Sequence, residues 1–74
     1  MTAHEIQTLI GALLRKRNTN ATIARHLAAG RIPAIVEEVF GPTQKRAAAR
    51  YADLAAKAPP DLVAAIEAHL TEEP

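Results

Sequence analysis

The 74-residue sequence predicts an all-α chain folded as a compact bundle of about five short helices, and three observations carry that expectation. Two segments place apolar residues at helical spacing over more than two turns. A lone glycine, a Gly-Pro pair and a Pro-Pro pair punctuate the chain at intervals that suit short helices. No stretch alternates apolar and polar residues with the period of two that a half-buried strand shows.

The first helix begins at Thr2, because Thr2-Ala3-His4-Glu5 sets a hydroxyl three residues before a carboxylate, the spacing of a capping box. Ile6, Leu9, Ile10, Leu13 and Leu14 follow at i, i+3, i+4, i+7 and i+8 as one apolar stripe. Arg15, Lys16 and Arg17 close the helix, where cations offset the negative end of its dipole. Asn18-Thr19-Asn20 reads as a turn that caps a second helix over residues 20–29, with Ile23 and Leu27 inward. Gly30 ends it in a left-handed cap.

A third helix starts at Ile32 or Pro33, since proline is tolerated in a first turn. Ile32, Ile35, Val36, Val39 and Phe40 repeat the spacing of the first stripe, and Gly41-Pro42 stops the helix. The fourth, over residues 43–57, has a thin inward stripe of Ala47, Tyr51, Leu54 and Ala58. Pro59-Pro60 breaks the chain, and Pro60-Asp61 opens a fifth helix with Leu62, Val63, Ile66 and Leu70 inward. Residues 71–74 place acids at the unfavourable helix end and are expected to fray. Residues 1–74 thus read as one helical domain, with the first, third and fifth helices supplying most of the core.

Size and composition bound the function. A chain this short buries only about 60% of its unfolded surface. With no cysteine, neither disulfides nor a thiolate metal site can add to the core. Much of the 49% apolar content is alanine, which favours helix but buries little area, so association into a homodimer is expected to help. No run reaches the roughly 18 apolar residues that would span a membrane. Residues 6–31 carry Arg15, Lys16, Arg17, Arg25 and Arg31 without an acid, a pattern shared with mitochondrial presequences. Glu5 and the capping signal favour a folded first helix instead, and the cytoplasm is the expected compartment. The net charge of +1 conceals an asymmetry, because residues 58–74 carry Asp61, Glu67, Glu72 and Glu73 with no base.

No catalytic constellation emerges. His4, His26 and His69 fall on three predicted helices and share no ligand spacing, so no metal or cofactor is implied. Glu37-Glu38 and Glu72-Glu73 are adjacent, and their side chains diverge by about 100° on a helix. There is no Gly-rich phosphate loop and no nucleophile elbow. Asn20-Ala21-Thr22 matches a glycosylation sequon and reads more simply as a capped turn. The expectation is a non-enzymatic binding protein.

Two stretches have the makings of a helix-turn-helix. The first, from Thr22 through Gly30 to Phe40, would turn Glu37 and Glu38 toward phosphate and is repelled. The second leads from the third helix through Phe40-Gly41-Pro42-Thr43 into Gln44-Lys45-Arg46 and Arg50, and it resembles the DNA-reading half of many helix-turn-helix proteins. That resemblance implies a regulatory DNA-binding protein whose fourth helix enters the major groove. Gln44 would pair with an adenine edge, Arg46 or Arg50 with guanine, and Lys45, Arg15, Lys16 and Arg17 with phosphates. The rival expectation is a small inhibitor or adaptor that docks a helix face on a larger protein. A membrane-surface first helix ranks below both, because it has no aromatic residue and its stripe is needed for the core.

Overall fold

In the computed structural model, which describes residues 2–71, the chain is all-helical but has three helices rather than five: α1 (Ala3–Ala28), α2 (Pro33–Ala56) and α3 (Pro60–Thr71). Both expected internal breaks lie inside continuous helix. α1 runs through Asn18-Thr19-Asn20, and α2 runs through Gly41-Pro42. At 1.5 Å per residue α1 is about 39 Å long, close to the longest molecular extent of 42 Å. The radius of gyration is 14.0 Å, against about 11 Å for a compact chain of this length. The molecule is elongated, which corrects the expectation of a compact bundle.

α1 and α2 form an antiparallel hairpin. The pairs that face each other move up one helix as they move down the other. Leu9 lies with Leu54, Lys16 over Tyr51, Asn20 on Gln44 and His26 on Phe40. On α1 the seam passes through Leu9, Leu13, Lys16, Asn20, Ile23 and Leu27, alternately four and three residues apart, without a phase shift at Asn18-Thr19-Asn20. In that segment the hydroxyls of Thr19 and Thr22 donate to the carbonyls of Arg15 and Asn18 at 2.9 Å each, so the expected turn-formers are satisfied within the helix. On α2, Val36, Phe40, Ala47, Tyr51 and Leu54 keep one phase across Pro42. The proline forfeits one backbone hydrogen bond, but packing on both sides of it holds a single helix.

The core sits at one end of the hairpin. Leu9, Ala12 and Leu13 of α1 meet Tyr51 and Ala58, and α3 closes over them with Leu70, Val63 and Ile66. The stripe expected to be thin is therefore central, with Tyr51 only 5% exposed. The core cluster contains no residue between Leu13 and Tyr51 in sequence. Val36 and Ala47 are buried along the seam outside it.

The helix ends are built as the sequence predicts. The Thr2 backbone N–H and hydroxyl both donate to Glu5 Oε1, and the Glu5 N–H donates to Thr2 Oγ1 at 3.2 Å. These bonds hold the Glu5 carboxyl below the usual carboxylate range. At the hairpin tip Gly30 has φ +82, Gly30 N–H donates to Leu27 and Arg31 N–H to His26. That pair of bonds is a Schellman cap. Pro33 then opens α2 after Ile32, whose backbone is extended. The expected fray of residues 71–74 concerns Thr71, which still belongs to α3, and three residues outside those described.

Two glycine substitutions separate the turn from the helix. A Cβ on either Gly11 or Gly30 meets nothing within 4 Å, so only backbone preference decides the outcome. Gly30→Ala is expected to cost about 1–2 kcal/mol and to lower the thermal midpoint by roughly 5–10 °C. Gly11→Ala, inside α1, should stabilise by roughly 0.5–1 kcal/mol. Thermal denaturation followed by circular dichroism measures both.

Candidate functional site

One face of α2 carries apolar residues that the hairpin leaves in the open. At 100° per residue, Ile35 and Val39 fall about 40° apart on α2, beside the buried Val36, and Ile32 immediately precedes the helix. Ile32, Ile35 and Val39 are 60%, 54% and 61% exposed. The predicted core stripe of the third helix is thus split. Val36 packs on α1, Phe40 is half-buried, and the other three face outward. Five apolar side chains span too wide an arc for one neighbouring helix to cover. The part of α1 opposite them offers only Ile23, Leu27 and the ring of His26.

His26 stacks on Phe40 with ring centroids 4.9 Å apart and planes inclined by 28°. Together with Ile32, Ile35, Val36 and Val39 they line a depression of about 500 Å³ near the hairpin tip. It adjoins a second depression through Phe40, lined also by Gly11, Arg15, Thr22 and Thr43. That one adjoins a third through Gly11 and Arg15, where Arg50 stands. The result is one continuous groove along the open face of the hairpin, apolar at the tip and basic toward the α3 end.

The residues assigned to DNA reading do not form the expected unit. The turn that would separate a reading helix from its support is absent, since residues 40–43 lie within α2. The first candidate motif, through Gly30, is the antiparallel hairpin itself. Gln44 donates from Nε2 to Asn20 Oδ1 at 2.9 Å and so braces the two helices. Lys16 lies half-buried with Nζ 5.2 Å from the Tyr51 ring centre, and Arg17 lines the adjoining depression beside Glu67. Arg15 sits with Arg50 on the groove side. Arg15 and Arg17 are two positions apart, which turns them about 160° from each other. Lys45 and Arg46 are exposed and diverge by about 100°. The Arg46 guanidinium donates to Thr43 Oγ1 at 3.5 Å. Of the seven residues, Arg15, Arg46 and Arg50 share the groove face.

Sequence reasoning missed the Tyr51–Glu67 contact as well. Tyr51 Oη donates to Glu67 Oε1 at 2.5 Å and ties α2 to α3. Burial, reinforced by this bond and the carboxylate charge, pushes the Tyr51 phenol up to about 12. Among the described residues no group of three histidines and acids is placed to hold a metal, and no helix is long and apolar enough to cross a membrane. The chain matches no protein-family model, and no curated protein or solved structure is found to match it.

The Tyr51 shift has a pH signature. The unfolded phenol ionises near 10 while the folded one holds its proton to about 12. Stability linked to the protonated phenol is therefore whole below pH 10 and is lost as pH rises toward about 12. Urea unfolding between pH 8 and 12 should show a steeper loss for the native chain than for Tyr51→Phe. At neutral pH that variant should lose about 1 kcal/mol.

Proposed function

We propose that this chain is a non-enzymatic protein-docking module, in the manner of a small inhibitor or adaptor, that takes a helical surface of another polypeptide against the tip of its hairpin. One observation carries the reading: Ile32, Ile35 and Val39 are each more than half exposed and line one depression at the start of α2. Exposed apolar residues scattered singly need no explanation, whereas a contiguous patch beside a groove marks an interaction surface. Half-buried aromatic rings at its edge, those of His26 and Phe40, supply the flat anchors that helix-in-groove contacts use.

DNA binding is the competing reading. It draws on Arg15 and Arg50 along the groove, whereas the net charge of only +1 is low for a nucleic-acid binder. Without a separate reading helix, and with Gln44 engaged inside the hairpin, it has phosphate contacts but no base-reading unit.

A photo-crosslinking residue at position 35 tests the choice. Adducts should contain polypeptide, and an equivalent probe at Asp61 should give none. The pair Ile35→Asp and Val39→Asp should leave unfolding within about 0.5 kcal/mol of native, as surface changes do, yet weaken docking about 100-fold or more. Nucleic-acid adducts at position 35, or a duplex shift that weakens with salt and survives the aspartates, would overturn the docking reading in favour of phosphate binding.

A further inference from the structure

We infer that the basic stretch of the groove, lined by Arg15 of α1 and Arg50 of α2, is the specificity-determining half of the docking surface and takes the carboxylate side chains of an acidic, amphipathic helix. This rests on the docking reading above and deepens it by naming the partner's chemistry. The first support is alignment. On α2, Ile35, Val39, Thr43 and Arg50 fall within an arc of about 80°, so the apolar and basic stretches follow one line along the helix. Arg50 stands about 17–22 Å along the axis from Val39 and Ile35, a span that one partner helix of about four turns covers. Arg15 lines the same depression from α1, together with Gly11, where a Cβ would meet nothing within 4 Å. The wall is open at that point, with room for a side chain entering from outside.

The second support is the charge along the groove. Its three depressions are lined by Arg15, Arg31 and Arg50 and by no acid, although the chain carries 8 acidic residues. None of the three arginines forms an ion pair among the described residues. The nearby acids are committed or turned away. Glu5, the one acid of α1, is held in the capping box, and Asp53 is paired with Lys57 at 3.4 Å. Glu37 and Glu38 lie about 60° or more outside the arc on α2. The two guanidiniums are thus left with the planar donor pairs that a carboxylate accepts. The apolar stretch decides which anion they meet. A nucleic-acid backbone has nothing to lay on Ile35 and Val39. A helix with apolar residues toward one end and Asp or Glu toward the other satisfies both stretches at once.

Alanine-based helical peptides of about 20 residues, titrated with the full chain by fluorescence anisotropy, test this. A pair of peptides shares leucines at i, i+3, i+4 and i+7 at one end and differs at the other, with glutamates in one and lysines in its twin. The pair is made in both chain directions. At low salt the glutamate peptide should bind about tenfold more tightly than its lysine twin in at least one direction, and the preference should shrink toward about 0.5 M salt. Arg15→Gln and Arg50→Gln, exposed changes to another good helix former, should erase the preference. Ile35→Asp should instead weaken both peptides alike. Twins that bind equally, a preference that survives the glutamines, or no binding by any peptide up to about 1 mM overturns the acidic partner. If polypeptide still crosslinks at position 35, the docking reading then stands and only this inference fails. Crosslinks at position 35 between copies of the chain, or duplex DNA held by Arg15 and Arg50 with no effect of Ile35→Asp, would put a second copy or phosphate in the groove and overturn it as well.

Discussion

Along the α1–α2 seam the facing side chains are a mixed set. Leu9 and Leu13 meet Leu54 and Tyr51 at one end, and Ile23 and Leu27 lie toward the other. Between them the contacts are a lysine over a phenol ring and an amide bonded to an amide. A purely apolar seam this rich in alanine would allow the helices to slide by a turn at little cost. The Asn20–Gln44 bond and the Lys16–Tyr51 contact are satisfied in one register, which is how polar seam residues specify alignment in coiled coils. The position of Tyr51 then decides where α3 lands, because its hydroxyl is bonded to Glu67. Fold and site therefore descend from one alignment of two helices.

The same alignment explains why the tip is unfinished. Past Asn20, α1 carries Thr22, Arg25 and alanines around its two aliphatic seam residues, while the facing turn of α2 is rich in isoleucine and valine. One helix face is asked to cover an arc wider than itself. The apolar surplus lies on the side away from the buried stripe, so no small shift of the hairpin could bury it. Removing those side chains from water requires a further layer, and within this chain α3 is committed elsewhere.

Helix class, the Thr2 capping box, the Gly30 cap and the inward face of α3 were legible in the sequence, because each is a local pattern with one physical reading. Helix count was not. Asn18-Thr19-Asn20 and Gly41-Pro42 are strong turn formers, and local propensity outweighed a signal that was present: the seam spacing runs through both without losing phase. The helix-turn-helix expectation depends on a turn at residues 40–43, and those residues are ordinary helix in α2. The site was half legible. Ile32, Ile35 and Val39 read as one stripe in the sequence, but a stripe shows which residues act together and not whether the chain holds anything to lay against it. Arg15, Lys16 and Arg17 are adjacent in sequence, whereas helical rotation distributes them over different faces.

Pro42 lies between the part of α2 that packs in the α3-bearing core and the part that carries the open face. Its missing N–H leaves the carbonyl of Glu38 one helical donor short. α1 has no matching interruption. The hairpin is thus mechanically unequal, a stiff rod beside a rod with one soft joint. Bending at that joint swings Ile32, Ile35 and Val39 relative to Arg46 and Arg50 while the far end stays anchored. The angle between the apolar and basic ends of the groove becomes a compliant coordinate, one that a docked surface can set without disturbing the core.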